Sequence, residues 1–168
     1  MLKTIAEISL KSKVNRENEP IKKQFLPWDR IEKIAIVIRK HDDLNKSEID
    51  RFVEATQKYI EIFFVELDSK LPTYSDWHCF SKKDKSLLKL PKNNLIKELK
   101  KKQFDLVINT STEDDLFSIA LSSSLLSVIQ CDSSDRFNNA DLIIKKNDKY
   151  SIIDYLKEVI KYLKMIKN

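Results

Sequence analysis

The chain has 168 residues, 42% of them hydrophobic, and carries a formal net charge of +5 with no glycine at all. That size and apolar content suit one domain with one sizeable core, while ordinary glycine usage of ~7% would have supplied roughly 12. Missing glycine excludes the Walker A loop, the G-x-G-x-x-G dinucleotide turn and the G-x-S-x-G nucleophile elbow, each of which needs backbone without a Cβ at φ > 0 or against a phosphate.

Along the chain, residues 2–12 read as a short amphipathic helix through Leu2, Ile5, Ile8 and Leu10, and residues 11–23 as a linker without apolar period. Residues 1–27 are therefore expected to form an N-terminal helix and linker, and 28–168 one α/β domain. Lys33–Arg39 (KIAIVIR) is a near-continuous apolar run, the mark of a parallel strand buried on both faces. Ser47–Tyr59 follows with Ile49, Phe52, Val53 and Thr56 at helical spacing, and Ile60–Leu67 is the next strand, so the three make a right-handed crossover. Between Pro72 and Pro91 the chain is less regular, with a short apolar piece, Trp77–Phe80, that reads as a short packed strand, and the charged run Ser81–Lys85. A helix over Asn93–Lys102, with Leu95, Ile96 and Leu99 inward, leads to the strand Phe104–Asn109.

Thr112 is expected to cap the next helix, with Asp115 in capping-box position and Leu116, Phe117, Ala120 and Leu121 inward. Serines 122–124 end it by satisfying carbonyls. Leu125–Cys131 and Ala140–Ile144 are the fourth and fifth strands. Ser151 with Asp154 opens the last helix, whose inner side is Ile152, Ile153, Leu156, Ile160 and Leu163. The fold class is thus α/β: three layers around a mostly parallel sheet of about five strands, preceded by a short N-terminal helix. Turns that usually take glycine fall to asparagine, the next best occupant of the left-handed region, which points to Asn45, Asn94, Asn138, Asn139 and Asn147.

Charge distribution sets the expected partners. Residues 1–30 contribute +3, residues 151–168 contribute +2, and everything between sums to zero. Alternating lysines and acids lack the basic stripe that nucleic acid requires, so nucleic acid is not expected. Apolar stretches such as Ile34–Ile38 are strand-sized and no membrane span is expected. The N-terminus carries Glu7 within its apolar part, unlike a secretory signal, so the expected location is the cytoplasm. Cys79 and Cys131 are expected to be reduced and packed as small hydrophobes.

In an open parallel sheet, ligands bind beyond the carboxyl ends of the strands near a reversal of strand order. Three loops should meet there, contributing His41 and Asp42, then Asn109, Ser111 and Thr112, then Cys131 and Asp132 as ligand-binding candidates. Catalytic residues, metals and cofactors are not assigned. Cys131 is followed by Asp132, which opposes thiolate formation, and the adjacent pair His78-Cys79 lacks the spacing of a zinc site. Carboxylates at Glu113, Asp114 and Asp115 would repel a nucleotide phosphate from the helix they precede. The apolar stripe of residues 2–12 is too small to stand alone and is expected to dock, with a protein partner or a second copy favoured over the domain itself.

From Trp77 onward the order of features resembles an uncharacterised family of small Rossmann-like proteins from Bacteroidota, a domain of unknown function. The residues that carry it are Phe80-Ser81-Lys82-Lys83-Asp84, Pro91, Phe104–Asn109, Ser122, Asp141–Ile144 and Tyr162-Leu163. It departs from that pattern before Pro91 and near Gln130, where glycine is usual. This resemblance implies a fold without an activity. Phe104–Asn109 followed by a helix and a serine-rich turn also resembles part of the acceptor-side half of heptosyltransferase-type glycosyltransferases, which implies a degenerate enzyme lacking its nucleotide-sugar domain. The reading that combines these features is an uncharacterised, non-enzymatic interaction or accessory protein; the alternative is a small-ligand binder or degenerate glycosyltransferase-like enzyme using the carboxyl edge of the sheet.

Overall fold

Alternation along β1 (Lys33–Arg39) sends Ile34, Ile36 and Ile38 to one face of the sheet and Ala35 and Val37 to the other, and in the computed structural model all five are buried. The structure describes residues 1–13, 21–41, 43–70, 73–147 and 149–167. A strand apolar on both faces needs a layer on each side. The chain supplies α2 (Lys46–Thr56) and α5 (Ile152–Met165) on the Ile34 face, where Ile49, Leu156 and Leu163 are buried. On the Val37 face, α3 (Asn93–Leu99) and α4 (Leu116–Ser124) bury Leu99, Phe117 and Leu121.

The remaining strands are β2 (Tyr59–Val65), β3 (His78–Phe80), β4 (Gln103–Asn109), β5 (Leu126–Asp132) and β6 (Leu142–Ile143). They assemble in the order β3-β2-β1-β4-β5-β6, with every neighbouring pair parallel. The sheet therefore has six strands, the additional one being the three-residue β3, which pairs Phe63–Val65 of β2. The chain winds outward from β1 to β3, then returns to add β4 on the other side of β1. Strand order thus reverses between β1 and β4, the geometry in which the loops leaving those strands diverge and open a crevice.

Helix α1 (Leu2–Lys13) packs on α4, and of the expected stripe Leu10 is the residue that docks. Leu10 is completely buried against Leu90, Ile119, Ala120 and Phe137, and Ala6 is buried as well. Leu2, Ile5 and Ile8 face outward at 68%, 45% and 65% exposure. Ion pairs Lys3–Asp114 (3.2 Å) and Glu7–Arg136 (2.8 Å) flank the docked side.

The turns also differ from expectation. Among the described residues the left-handed region is occupied by Gln57, Lys89 and Asn138, so only one of the five proposed asparagines serves that purpose. Asn45 instead caps α2, accepting the Glu48 N–H, and Asn94 lies within α3. Asn139 is buried on Asp132, while Asn147 accepts the Lys149 N–H. An asparagine side chain that finds a hydrogen-bonding task need not stand in for glycine. No helix among the described residues is long and apolar enough to cross a membrane.

Candidate functional site

The carboxyl ends of β1, β4, β5 and β6 open into a cleft of about 1100 Å³. Its walls come from the segment after β1 (Arg39, Lys40, His41, Asp43), the segment after β4 (Thr110–Asp115), Ser133–Asp135 after β5, and Ile143, Lys145, Lys146, Tyr150 and Ile152 around β6 and the start of α5. His41, Ser111 and Thr112, three of the sequence candidates, line it together. Asp42 lies outside the described residues.

Asn109, Cys131 and Asp132 are buried at the ends of β4 and β5 and do not line it; Asn109 and Asp132 lie beneath the loops that do. Asp132 is 2% exposed at the end of β5, and its Oδ2 accepts from Asn109 Nδ2 (2.9 Å) and Asn139 Nδ2 (3.0 Å) while Oδ1 accepts the Ser133 N–H (2.7 Å). Burial raises its pKa, and these donors work against that rise by favouring the carboxylate. Asn109 passes the network on: its Oδ1 accepts from the Ser111 N–H (3.1 Å) and Ser111 Oγ (2.8 Å). Ser133 Oγ in turn donates to the Ser111 carbonyl (3.1 Å). The loops after β4 and β5 are thus stitched together under the cleft by buried polar groups, the arrangement that fixes a loop in one conformation.

Cys131 is fully buried beside Tyr155, and burial pushes its thiol up to about 12. It is a protonated core residue at neutral pH. Cys79 is half-buried, and both cysteines are free. Among the described residues no group of three or more His, Cys, Asp or Glu is placed to hold a metal ion.

The segment between β4 and α4 differs from its expected form. Thr112 does not cap the helix; Asp115 does, accepting from Ser118 N (3.2 Å) and Oγ (2.6 Å), because residues 112–115 first make a turn closed by the Asp115 N–H on the Thr112 carbonyl. Glu113 and Asp114 therefore stand in the cleft wall ahead of the helix. Asp114 is held by Lys3 and Arg136, which lower its pKa. At the helix's other end, Ser122 and Ser124 donate to the Ile119 and Ala120 carbonyls, the end-of-helix role expected of them.

The residues expected to bind a ligand do not include two cations that line the cleft, Arg39 and Lys146. Among the described residues, Arg39, partly buried at the end of β1, has no hydrogen-bond acceptor on its Nη1, which lies 3.9 Å from Asp115 Oδ1. Lys146 is half-buried and among the described residues donates to the Thr110 carbonyl at 3.4 Å; burial lowers its pKa. The sequence carries a signal for Lys146, since Lys145-Lys146 follows β6 just as Asp132 ends β5, and the strand-end rule holds for that strand too.

A second polar cluster occupies the opposite end of the sheet. Glu61 on β2 accepts from His78 Nε2 (2.8 Å) and Lys102 Nζ (2.7 Å), with Lys33 Nζ at 3.7 Å. Burial acts to raise its pKa, yet the hydrogen bonds from Lys102 and His78 prevail and hold it below the usual value. His78 is thereby a hydrogen-bonding edge residue stacked on Phe63 at 4.8 Å.

With this geometry in hand, comparison with known proteins adds one result: residues 3–166 match the model of a Family of unknown function (DUF6913). The chain belongs to this family. The match spans α1 through α5, so in DUF6913 the N-terminal helix is included in the family unit. No curated protein and no solved structure matches the chain.

Proposed function

We propose that this DUF6913 protein is a non-enzymatic binding protein whose cleft, at the reversal of strand order between β1 and β4, receives a small polar ligand. The observation that carries this reading is the position of the cleft: four strand ends deliver side chains to one crevice at the point where an α/β sheet diverges. Its volume is at the upper end of what small-molecule sites occupy. His41, Ser111 and Thr112 are the candidate contacts, with Asn109 and Asp132 acting beneath them to hold the loops. Asp42 is retained as a rim candidate from its sequence position.

The non-enzymatic half of the reading rests on what the nucleophilic groups are doing. Nucleophilic catalysis needs a hydroxyl or thiol hydrogen-bonded to a base. Here Ser111 Oγ donates to an amide oxygen, Ser133 Oγ donates to a backbone carbonyl, and Cys131 is sealed in the core with its pKa at about 12. A thermal-shift screen with nucleotides, sugar nucleotides, amino acids and sugars tests it. A ligand at 100 times its Kd should stabilise the fold by about 2.7 kcal/mol, and His41→Ala, Ser111→Ala and Thr112→Ala should each weaken that ligand. Turnover of a sugar nucleotide would replace it with the glycosyltransferase-like alternative; no shift with any compound would remove it.

A second reading is favoured by α1, whose outward Leu2, Ile5 and Ile8 are an association surface for a protein partner or second copy. Helical spacing puts all three on one side, and exposed apolar residues in contiguity mark interaction sites. Changing all three to serine should leave the melting temperature unchanged and abolish any self-association seen by sedimentation. Wild type that stays monomeric at high concentration and co-purifies with the same proteins as the triple variant would dismiss it.

A further inference from the structure

Within the cleft, the carboxylates and the cations differ in how they are satisfied. Asp114 is held by Lys3 and Arg136, Asp115 caps α4 through Ser118, and Asp135 accepts the Ala140 N–H. Glu113 and Asp43 are exposed at the rim, where water solvates them. Lys40 pairs with Glu66. Lys145 is exposed. Among the described residues Lys146 and Arg39 remain: one a half-buried ammonium with a long bond to a carbonyl, the other a guanidinium with a buried nitrogen that no described acceptor reaches, Asp115 lying 3.9 Å away and already engaged by Ser118. Taking a cation out of water without a hydrogen-bonded counter-charge is costly, and a protein retains such groups where something else supplies the charge.

Resting on the reading of the cleft as a ligand site, we propose that its ligand carries an anionic group, a phosphate or a carboxylate, which seats between Arg39 and Lys146. The seat is bounded by the Thr110 carbonyl on the Lys146 side and, on the Arg39 side, by Asp115, whose carboxylate already caps α4. Both side chains line the same cleft, one from the end of β1 and one from beyond β6, and a planar guanidinium with an ammonium provides a fork and a point charge, the pairing that suits oxyanions. Such an anion also relieves the burial that lowers the Lys146 pKa, so binding should weaken as the pH is raised through the Lys146 titration, below its ordinary 10.5.

The test is thermal shift and titration calorimetry on the full chain at constant ionic strength, with inorganic phosphate, pyrophosphate, acetate and citrate as probes and choline and glucose as cationic and neutral controls. At least one anion should raise the melting temperature, and comparison of the phosphate and carboxylate arms identifies the group. Lys146→Met and Arg39→Met should each weaken that anion tenfold or more, whereas Lys146→Arg and the exposed Lys101→Met should retain it. Lys146→Met should also melt at or above the wild-type temperature without ligand, since it removes an uncompensated charge, so loss of binding there is not loss of fold. Anion effects equal in wild type and both methionine variants, or no effect of any anion, overturn the proposal. If the wider ligand screen then yields a neutral or cationic ligand sensitive to Ser111→Ala, the cleft reading survives and only the anion is lost.

Discussion

Both carboxylate oxygens of Asp132 are engaged. One carboxylate oxygen accepts two side-chain amides, from Asn109 and Asn139, and the other accepts the Ser133 N–H. In Asp132→Asn the single remaining oxygen can face the two amides, but the new NH2 then meets the Ser133 N–H, donor against donor; the flipped amide fails on the other side. The variant should therefore lose about 1–3 kcal/mol, the cost of a buried group left unsatisfied, measurable by urea unfolding. A variant as stable as wild type would mean the carboxylate is not the organiser of the loops after β4 and β5. This role explains why the candidate residues divide as they do. Asn109, Cys131 and Asp132 were legible as strand-end residues, and that is where they are. A polar side chain at a strand end has the same sequence signature whether it points into the cleft or turns under it to bind a neighbouring loop, and only the packing of β5 against α5 decides that Cys131 is sealed.

At the scale of elements, the strands were easiest to read, because β1, β2, β4 and β5 lie inside the core and must be apolar on both faces. The sixth strand was legible only as Trp77–Phe80, too short to place in a sheet until Phe63–Val65 offered it an edge. Helix α4 starts three residues later than its serine and threonine content suggests, since Asp115 competes with Thr112 as cap and a turn over 112–115 favours the later residue. Helix α1 carries two apolar stripes of similar size. Leu2, Ile5 and Ile8 are the more hydrophobic, yet it is Leu10 that meets Leu90, Ile119, Ala120 and Phe137, and Lys3 and Glu7 find Asp114 and Arg136. The choice depends on contacts with residues far away in sequence. Periodicity cannot contain it.

Across the whole molecule, the sheet separates two polar ends with different chemistry. The carboxyl end holds cations short of counter-charge; the amino end holds Glu61 among His78, Lys102 and Lys33, where opposite charges are matched. Stability should therefore depend on pH through the amino end. Glu61 has its pKa held below the ordinary 4.5, so in the native state it gives up its proton more readily than in the unfolded chain. Its contribution is complete above 4.5 and disappears as the pH falls through the lowered native value. Glu61→Gln should thus cost on the order of 1 kcal/mol at pH 7, as a partly solvent-screened pair does, and progressively less below pH 4.5, until the variant and wild type converge. The same substitution should leave the affinity of any cleft ligand unchanged, because Glu61 lies at the other end of β2 from the crevice. Chemical unfolding from pH 7 to pH 3, with ligand titration at pH 7, checks both halves. A stability difference that persists at pH 3 would show that Glu61 acts through packing instead of charge, and a weakened ligand would show that the two ends are coupled through the sheet.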